Sequence, residues 1–139
     1  MRKIRTGSAR FEDVYRAVSE YRTKYGKAVI YSAQKYPELG WASLMAGGSC
    51  AAIPVKDEVF LRTLSSMKPE KTEDYYLLKS TEGMVVYLPQ NGGQNITLPG
   101  KDAYFLYQID ERTGQLRRIS NIKDNVKLKE KGVFWIKKK

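Results

Sequence analysis

The segment Tyr31-Ser32-Ala33-Gln34-Lys35-Tyr36-Pro37-Glu38, with Trp41 three residues further on, is the part of the chain best furnished to recognise a ligand. Two phenols, an amide, a carboxylate and an indole are groups that stack on sugar rings and hydrogen-bond to hydroxyls. Tyr31, Gln34, Tyr36, Glu38 and Trp41 are therefore the candidate carbohydrate-binding residues. The plainer alternative is loop polarity beside a core aromatic. No catalytic residue can be assigned. Glycosidase chemistry needs two carboxyl groups about 5–10 Å apart, and no such pair on two separate strand ends can be picked out.

Other chemistries are excluded or weakened by composition. The 139 residues contain no histidine. That removes a Ser-His-Asp triad, a Cys-His pair and the usual zinc site. No metal or cofactor is called for. The one cysteine, Cys50, lies in the apolar run Cys50-Ala51-Ala52-Ile53 and reads as a buried, inert thiol. Gly47-Gly48-Ser49 follows a helix pattern instead of preceding one and lacks the Lys-Ser or Lys-Thr of a phosphate loop, so it reads as a helix stop. Asn95-Ile96-Thr97 fits the N-glycosylation triplet, a pattern that is common by chance.

Net charge is +10, from 25 Lys+Arg against 15 Asp+Glu, and it divides evenly as +5 in residues 1–70 and +5 in 71–139. An even spread argues for a solvated basic surface and against a nucleic-acid site. The competing reading is a non-enzymatic β module that binds a polyanion, nucleic acid or acidic glycan, through Arg117, Arg118, Lys127, Lys129 and Lys137. Tyr75, Tyr76, Tyr87, Tyr104, Phe105, Tyr107, Phe134 and Trp135 would fill a core or, if exposed in a row, stack on a ligand. No apolar stretch is long enough to cross a bilayer, and the N-terminus has no apolar signal-peptide region.

The elements that must position these groups follow from periodicity. Phe11, Val14, Tyr15, Val18 and Tyr25 recur at helical spacing over 11–25, with Ser8 as a cap and Gly26 as a stop. Lys27–Ser32 and Ser49–Ile53 read as short buried parallel strands. Residues 37–46 predict a helix with proline in its first turn, and 57–67 a helix with Asp57 at its start. The order α-β-α-β-α implies crossover connections. The pattern changes at Lys68-Pro69-Glu70-Lys71-Thr72. Short strands then follow at 75–79, 84–88, 95–98, 103–109, 115–120, 125–128 and 133–137, parted by turn signals. The expected fold class is α+β. A partial α/β segment like the end of a TIM barrel occupies 1–70, and a small antiparallel β-sandwich occupies 71–139. Two parallel strands make no stable sheet alone, so the first segment reads as part of something larger.

Trp41-Ala42-Ser43-Leu44-Met45-Ala46-Gly47-Gly48-Ser49 resembles the stretch before the last barrel strand of bacterial (β/α)8 glycoside hydrolases of the apiosidase-like, DUF4038 type. Asp74-Tyr75-Tyr76-Leu77-Leu78, Val86-Tyr87-Leu88-Pro89, Arg112-Thr113-Gly114 and Phe134-Trp135-Ile136 resemble the collagen-binding-like β domain that ends such enzymes. The resemblance covers roughly residues 27–139. It implies that 27–32 and 49–53 are the seventh and eighth barrel strands. It implies too that the chain is the C-terminal portion of a glycoside hydrolase, not catalytic alone, whose β domain braces the barrel or binds carbohydrate. The rest of the barrel, or a second chain, would be a partner, and the parent protein would be secreted or periplasmic. Relatives carry a glutamate near the end of the seventh strand, where this chain has Ser32-Ala33-Gln34. They also often have an aspartate before the closing tryptophan, where this chain has Phe134.

Overall fold

The computed structural model describes residues 11–25, 37–47, 53–72 and 74–139. In chain order these form helices α1 (Phe11–Tyr25), α2 (Pro37–Met45) and α3 (Glu58–Leu64). Eight strands follow: β1 (Lys68–Lys71), β2 (Tyr76–Ser80), β3 (Gly83–Leu88), β4 (Gln94–Thr97), β5 (Ala103–Ile109), β6 (Leu116–Lys123), β7 (Asn125–Leu128) and β8 (Gly132–Lys138). The chain divides into two compact units. One comprises Met1–Ser65 together with Glu111–Gly114, and the other Ser66–Asp110 together with Gln115–Lys139. Among the described residues no helix is long and apolar enough to cross a membrane.

The helical unit is built on amphipathic spacing. Phe11, Val14, Tyr15 and Val18 fall on one stripe of α1 and are all buried. Arg22, in the last turn of α1, donates from Nη1 to the carbonyl of Ala46 at 3.3 Å, just past the end of α2. That bond satisfies one of the carbonyls a helix end leaves open. Helix α2 is unlike α1: Gly40 through Ala46 are all buried, so no described face is left for water. Asp57 caps α3, its carboxylate accepting from the Phe60 N–H at 2.9 Å, while the Phe60 ring is fully buried.

Helix α3 ends at Leu64, short of the expected 67. Thr63 Oγ1 and Ser65 Oγ donate back to the carbonyls of Phe60 and Arg62, a local competition that favours termination. The expected helix over 37–46 ends at Met45, with Gly47 in the left-handed region at φ 89°. The two strands expected at 27–32 and 49–53 fall outside the described residues, except Ile53, which lies in a bend. All strand pairings among the described residues are antiparallel. The described chain is therefore a mostly antiparallel β-sheet with a few helices.

The β unit is one eight-stranded sheet in the order β1-β2-β3-β8-β5-β6-β7-β4. β1 is new relative to the sequence reading: Lys68-Pro69-Glu70-Lys71 looks like a break, yet an outermost strand tolerates proline because one edge needs no donor. The core forms within this one sheet, not between two separate sheets. β6 and β7 share only the pair Lys123–Asn125, with Asp124 between them at φ 66°. Past this corner, Ile96, Leu98, Val126 and Leu128 join one core with Leu77, Met84, Val86, Leu88, Tyr104, Leu106, Phe134 and Ile136. Period-two alternation puts these residues on one face. The alternate positions Val85, Tyr87, Ile109, Val133 and Trp135 are buried as well.

Tyr104 ties this core to the β4–β5 connection. Its ring is 1% exposed and its hydroxyl donates to the Pro99 carbonyl at 3.0 Å. Burial, then the Asp102 carboxylate, raise its pKa above 10.0, with Lys138 opposing. The neutral phenol is the form that the fold favours. Its contribution to stability is complete below the unfolded value and is lost as pH rises through the higher folded value. Denaturant titrations should show stability falling above pH 10. Tyr104→Phe should lose about 1 kcal/mol at neutral pH and show a shallower alkaline decline. The residual slope would come from Tyr15, whose pKa burial and Glu12 also raise.

Candidate functional site

The five candidate sugar-binding residues do not form a described cleft. Tyr31, Gln34 and Tyr36 lie outside the described residues. Glu38 is the second residue of α2, and its side chain is likewise outside them. Trp41 requires a correction: it is 0% exposed. Its Nε1 donates to the Glu111 carbonyl at 3.1 Å. An indole enclosed on all sides offers no face to a sugar ring, so Trp41 is a core and anchoring residue. Its burial agrees with the plainer alternative, a core aromatic beside a polar loop, which sequence alone left open because the enclosure of α2 comes from tertiary contacts. The segment holding Glu111 is fixed further by Gly114, at φ 76°. A Cβ built there would stand 2.6 Å from the Pro54 carbonyl carbon and oxygen, so only glycine fits.

A second group of residues converges on the β unit. Register places Phe105 opposite Lys137 and Tyr107 opposite Trp135 on the β5–β8 pair, and Tyr107 opposite Arg118 on β5–β6. These side chains therefore share one face. The Arg118 guanidinium lies 5.0 Å from the Phe105 ring centroid and the Lys139 ammonium 5.1 Å from it. Lys137 Nζ lies 5.8 Å from the Trp135 centroid. Tyr107 stacks on Trp135 at 5.0 Å and 28°, and meets Phe105 edge-on at 6.5 Å. Each cation–ring contact contributes roughly 0.5–1 kcal/mol at such sites. Together they hold cations in place that would otherwise move freely on long stems.

Arg118 and Lys139 share one ring, so their charges stand no more than about 10 Å apart, on the order of the Debye length at physiological salt. No described carboxylate forms an ion pair with Arg118, Lys137 or Lys139. Lys123, opposite Ala103, continues the same side. The result is a cluster of positive charge with its geometry set by aromatic rings.

Of the five basic residues read as a polyanion set, the structure brings together Arg118 and Lys137. Arg117 is on the other face, donating to Gln108 Oε1 at 2.6 Å. Lys127 is on β7 opposite Asn95, and Lys129 follows the end of that strand. Phe105, read only among the aromatics, and Lys139 complete the cluster, and neither was grouped with the basic set. Their signal was the i, i+2 spacing of Phe105/Tyr107 and of Lys137/Lys139, which becomes readable only once the pairing of β5 with β8 is known.

Residues 1–67 match the family described as Domain of unknown function (DUF6298). The match ends beside the Ser65–Ser66 boundary between the two units. That description carries no activity. No curated protein matches the chain significantly.

Two substitutions test the corrected role of Trp41. Trp41→Phe removes the Nε1–H donor to the Glu111 carbonyl and should cost about 0.5–1.5 kcal/mol. Gly114→Ala should cost at least about 1–3 kcal/mol from its backbone conformation alone, with the clash against Pro54 added. Urea denaturation followed by tryptophan fluorescence and circular dichroism reads both.

Proposed function

We propose that the β unit is a non-catalytic binding module for an acidic glycan, using the face formed by Arg118, Lys137, Lys139 and Phe105. The single observation that carries this reading is the placing of two cations, Arg118 and Lys139, with no ion-pair partner among the described residues, against one aromatic ring. Opposite charge on a ligand relieves the repulsion between them, and the ring limits the side-chain entropy lost on binding. The state of the aromatics favours a glycan over single-stranded nucleic acid. Base recognition by stacking needs open ring faces. Here Trp135 is 2% exposed, one face of Tyr107 is covered by it, and Phe105 is engaged by two cations.

A second reading follows from the resemblance to the end of a (β/α)8 glycoside hydrolase. In it the helical unit is the closing part of a sugar-processing barrel, and the β unit is its accessory. Two features of α2 support that reading. All its described side chains are buried, as in the interior helix of a large protein. The Ser43 hydroxyl is buried with no hydrogen-bond partner among the described residues. Coding sequence upstream of Met1 that specifies six further βα units is the expected finding. An independent start there would remove this reading.

Binding is tested with polygalacturonate, neutral dextran and oligo(dT) at several salt concentrations. The expected outcome is binding of polygalacturonate that weakens steeply with salt, with no binding of dextran. The Arg118→Glu/Lys139→Glu double variant should lose at least tenfold in affinity and flatten the salt slope, by roughly one unit per lost contact. A flat salt response, or affinity unchanged in the double variant, would overturn the proposal. Tighter binding of oligo(dT) than of polygalacturonate would replace the glycan by nucleic acid.

A further inference from the structure

β6 is the longest strand of the sheet, eight residues from Leu116 to Lys123, yet it is poorly covered. One edge pairs with β5 from Leu116 to Lys123 except at a bulge that skips Ile119, while on the other β7 meets it only at Lys123–Asn125. Among the described residues, the outer edge of Leu116–Ile122 therefore has no strand partner. Arg117, Arg118, Ile119, Ser120 and Asn121 are all exposed, and Ile119 is one of two large exposed apolar side chains, at 46%. An unpaired row of backbone N–H and C=O groups is a template for another strand.

The two outermost strands of the sheet are protected in ways that β6 is not. β1 has four residues and contains Pro69, and β4 also has only four. Shortness and proline are the ordinary guards of a sheet edge. β6 has neither; what it has is charge. Arg117, Arg118 and Lys123 are its ionisable residues, and it carries no acid. A second copy of β6 would set like charges across the new pair, which is unfavourable. An acidic strand would set opposite charges there and complete the backbone ladder at the same time.

We propose that the outer edge of β6 docks an acidic, extended segment of a partner protein, which adds to the sheet as a further strand. This site is distinct from the cation cluster on Phe105, because it needs the backbone edge as well as charge. Ile119 supplies an apolar contact for one side chain of the incoming strand.

The test uses the full chain and two end-capped peptides of equal charge, Glu-Val-Glu-Thr-Glu-Val-Glu and Glu-Pro-Glu-Thr-Glu-Pro-Glu. Proline removes donors from the incoming strand and leaves the carboxylates in place. The expected result is at least tenfold tighter binding of the first peptide, with slowed hydrogen exchange at amides of residues 116–122. In the variant Arg117→Glu/Ile119→Glu, which spares Arg118 and Lys123, that affinity should fall at least tenfold while polygalacturonate binding persists. Circular dichroism verifies that this variant is folded. Equal affinity for the two peptides would overturn the proposal in favour of charge alone. So would no binding of either, or protection of 116–122 by concentration-dependent self-association without peptide. Loss of polygalacturonate binding alone would count against the glycan reading and leave the edge proposal standing.

Discussion

The arrangement of the β unit depends on the corner at Asp124. A left-handed backbone at a non-glycine residue is uncommon, and aspartate is among the side chains that tolerate it best. The Leu98 N–H donates to the Asp124 carbonyl at 2.8 Å and so links the corner to the end of β4. Through this corner the chain leaves β6 after one shared pair and returns as β7, which pairs with β4. The turn brings Ile96, Leu98, Val126 and Leu128 onto the face lined by Met84, Val86, Leu106 and Ile136. A flat sheet would leave that face wet.

The same corner accounts for the open strand. Once β7 turns away to cover the core, it cannot also pair with β6. Closing the core therefore exposes an edge, and that edge carries Arg117, Arg118 and Lys123. Charge on an open strand is a common means of keeping identical edges apart. Core closure and the open edge thus follow from one backbone conformation.

The cation cluster has a related origin. β5 lies between β8 and β6, so period-two alternation sends Phe105 and Tyr107 to the side that receives Lys137, Lys139 and Arg118 from the neighbouring strands. The rings take the stems and heads of these residues against their faces and edges. A lysine on an isolated strand samples many rotamers, whereas one held on a ring is partly organised before any ligand arrives.

Local pattern was enough to locate most elements. The 11–25 helix, the proline-led helix beginning at 37 and the strands 103–109 and 125–128 have the predicted bounds or starting points, because stripe and alternation are encoded within a few residues. β1 was missed, because Pro69 signals a break unless the strand is known to lie at an edge. Trp41 was left between a ligand-stacking and a core reading, because nothing within the sequence near it announces the Glu111 carbonyl seventy positions away. The cation cluster was half seen: Arg118 and Lys137 stood out as charges, while the rings they meet, Phe105 and Trp135, depend on strand order. The sequence by itself determined which residues form helix or strand and which side of each is apolar, since those are short-range properties of spacing and propensity. Only the tertiary structure decided which strands are neighbours, which indole is enclosed and which edge stays open, since pairing joins residues that are distant in the chain and is selected by burial of the whole core.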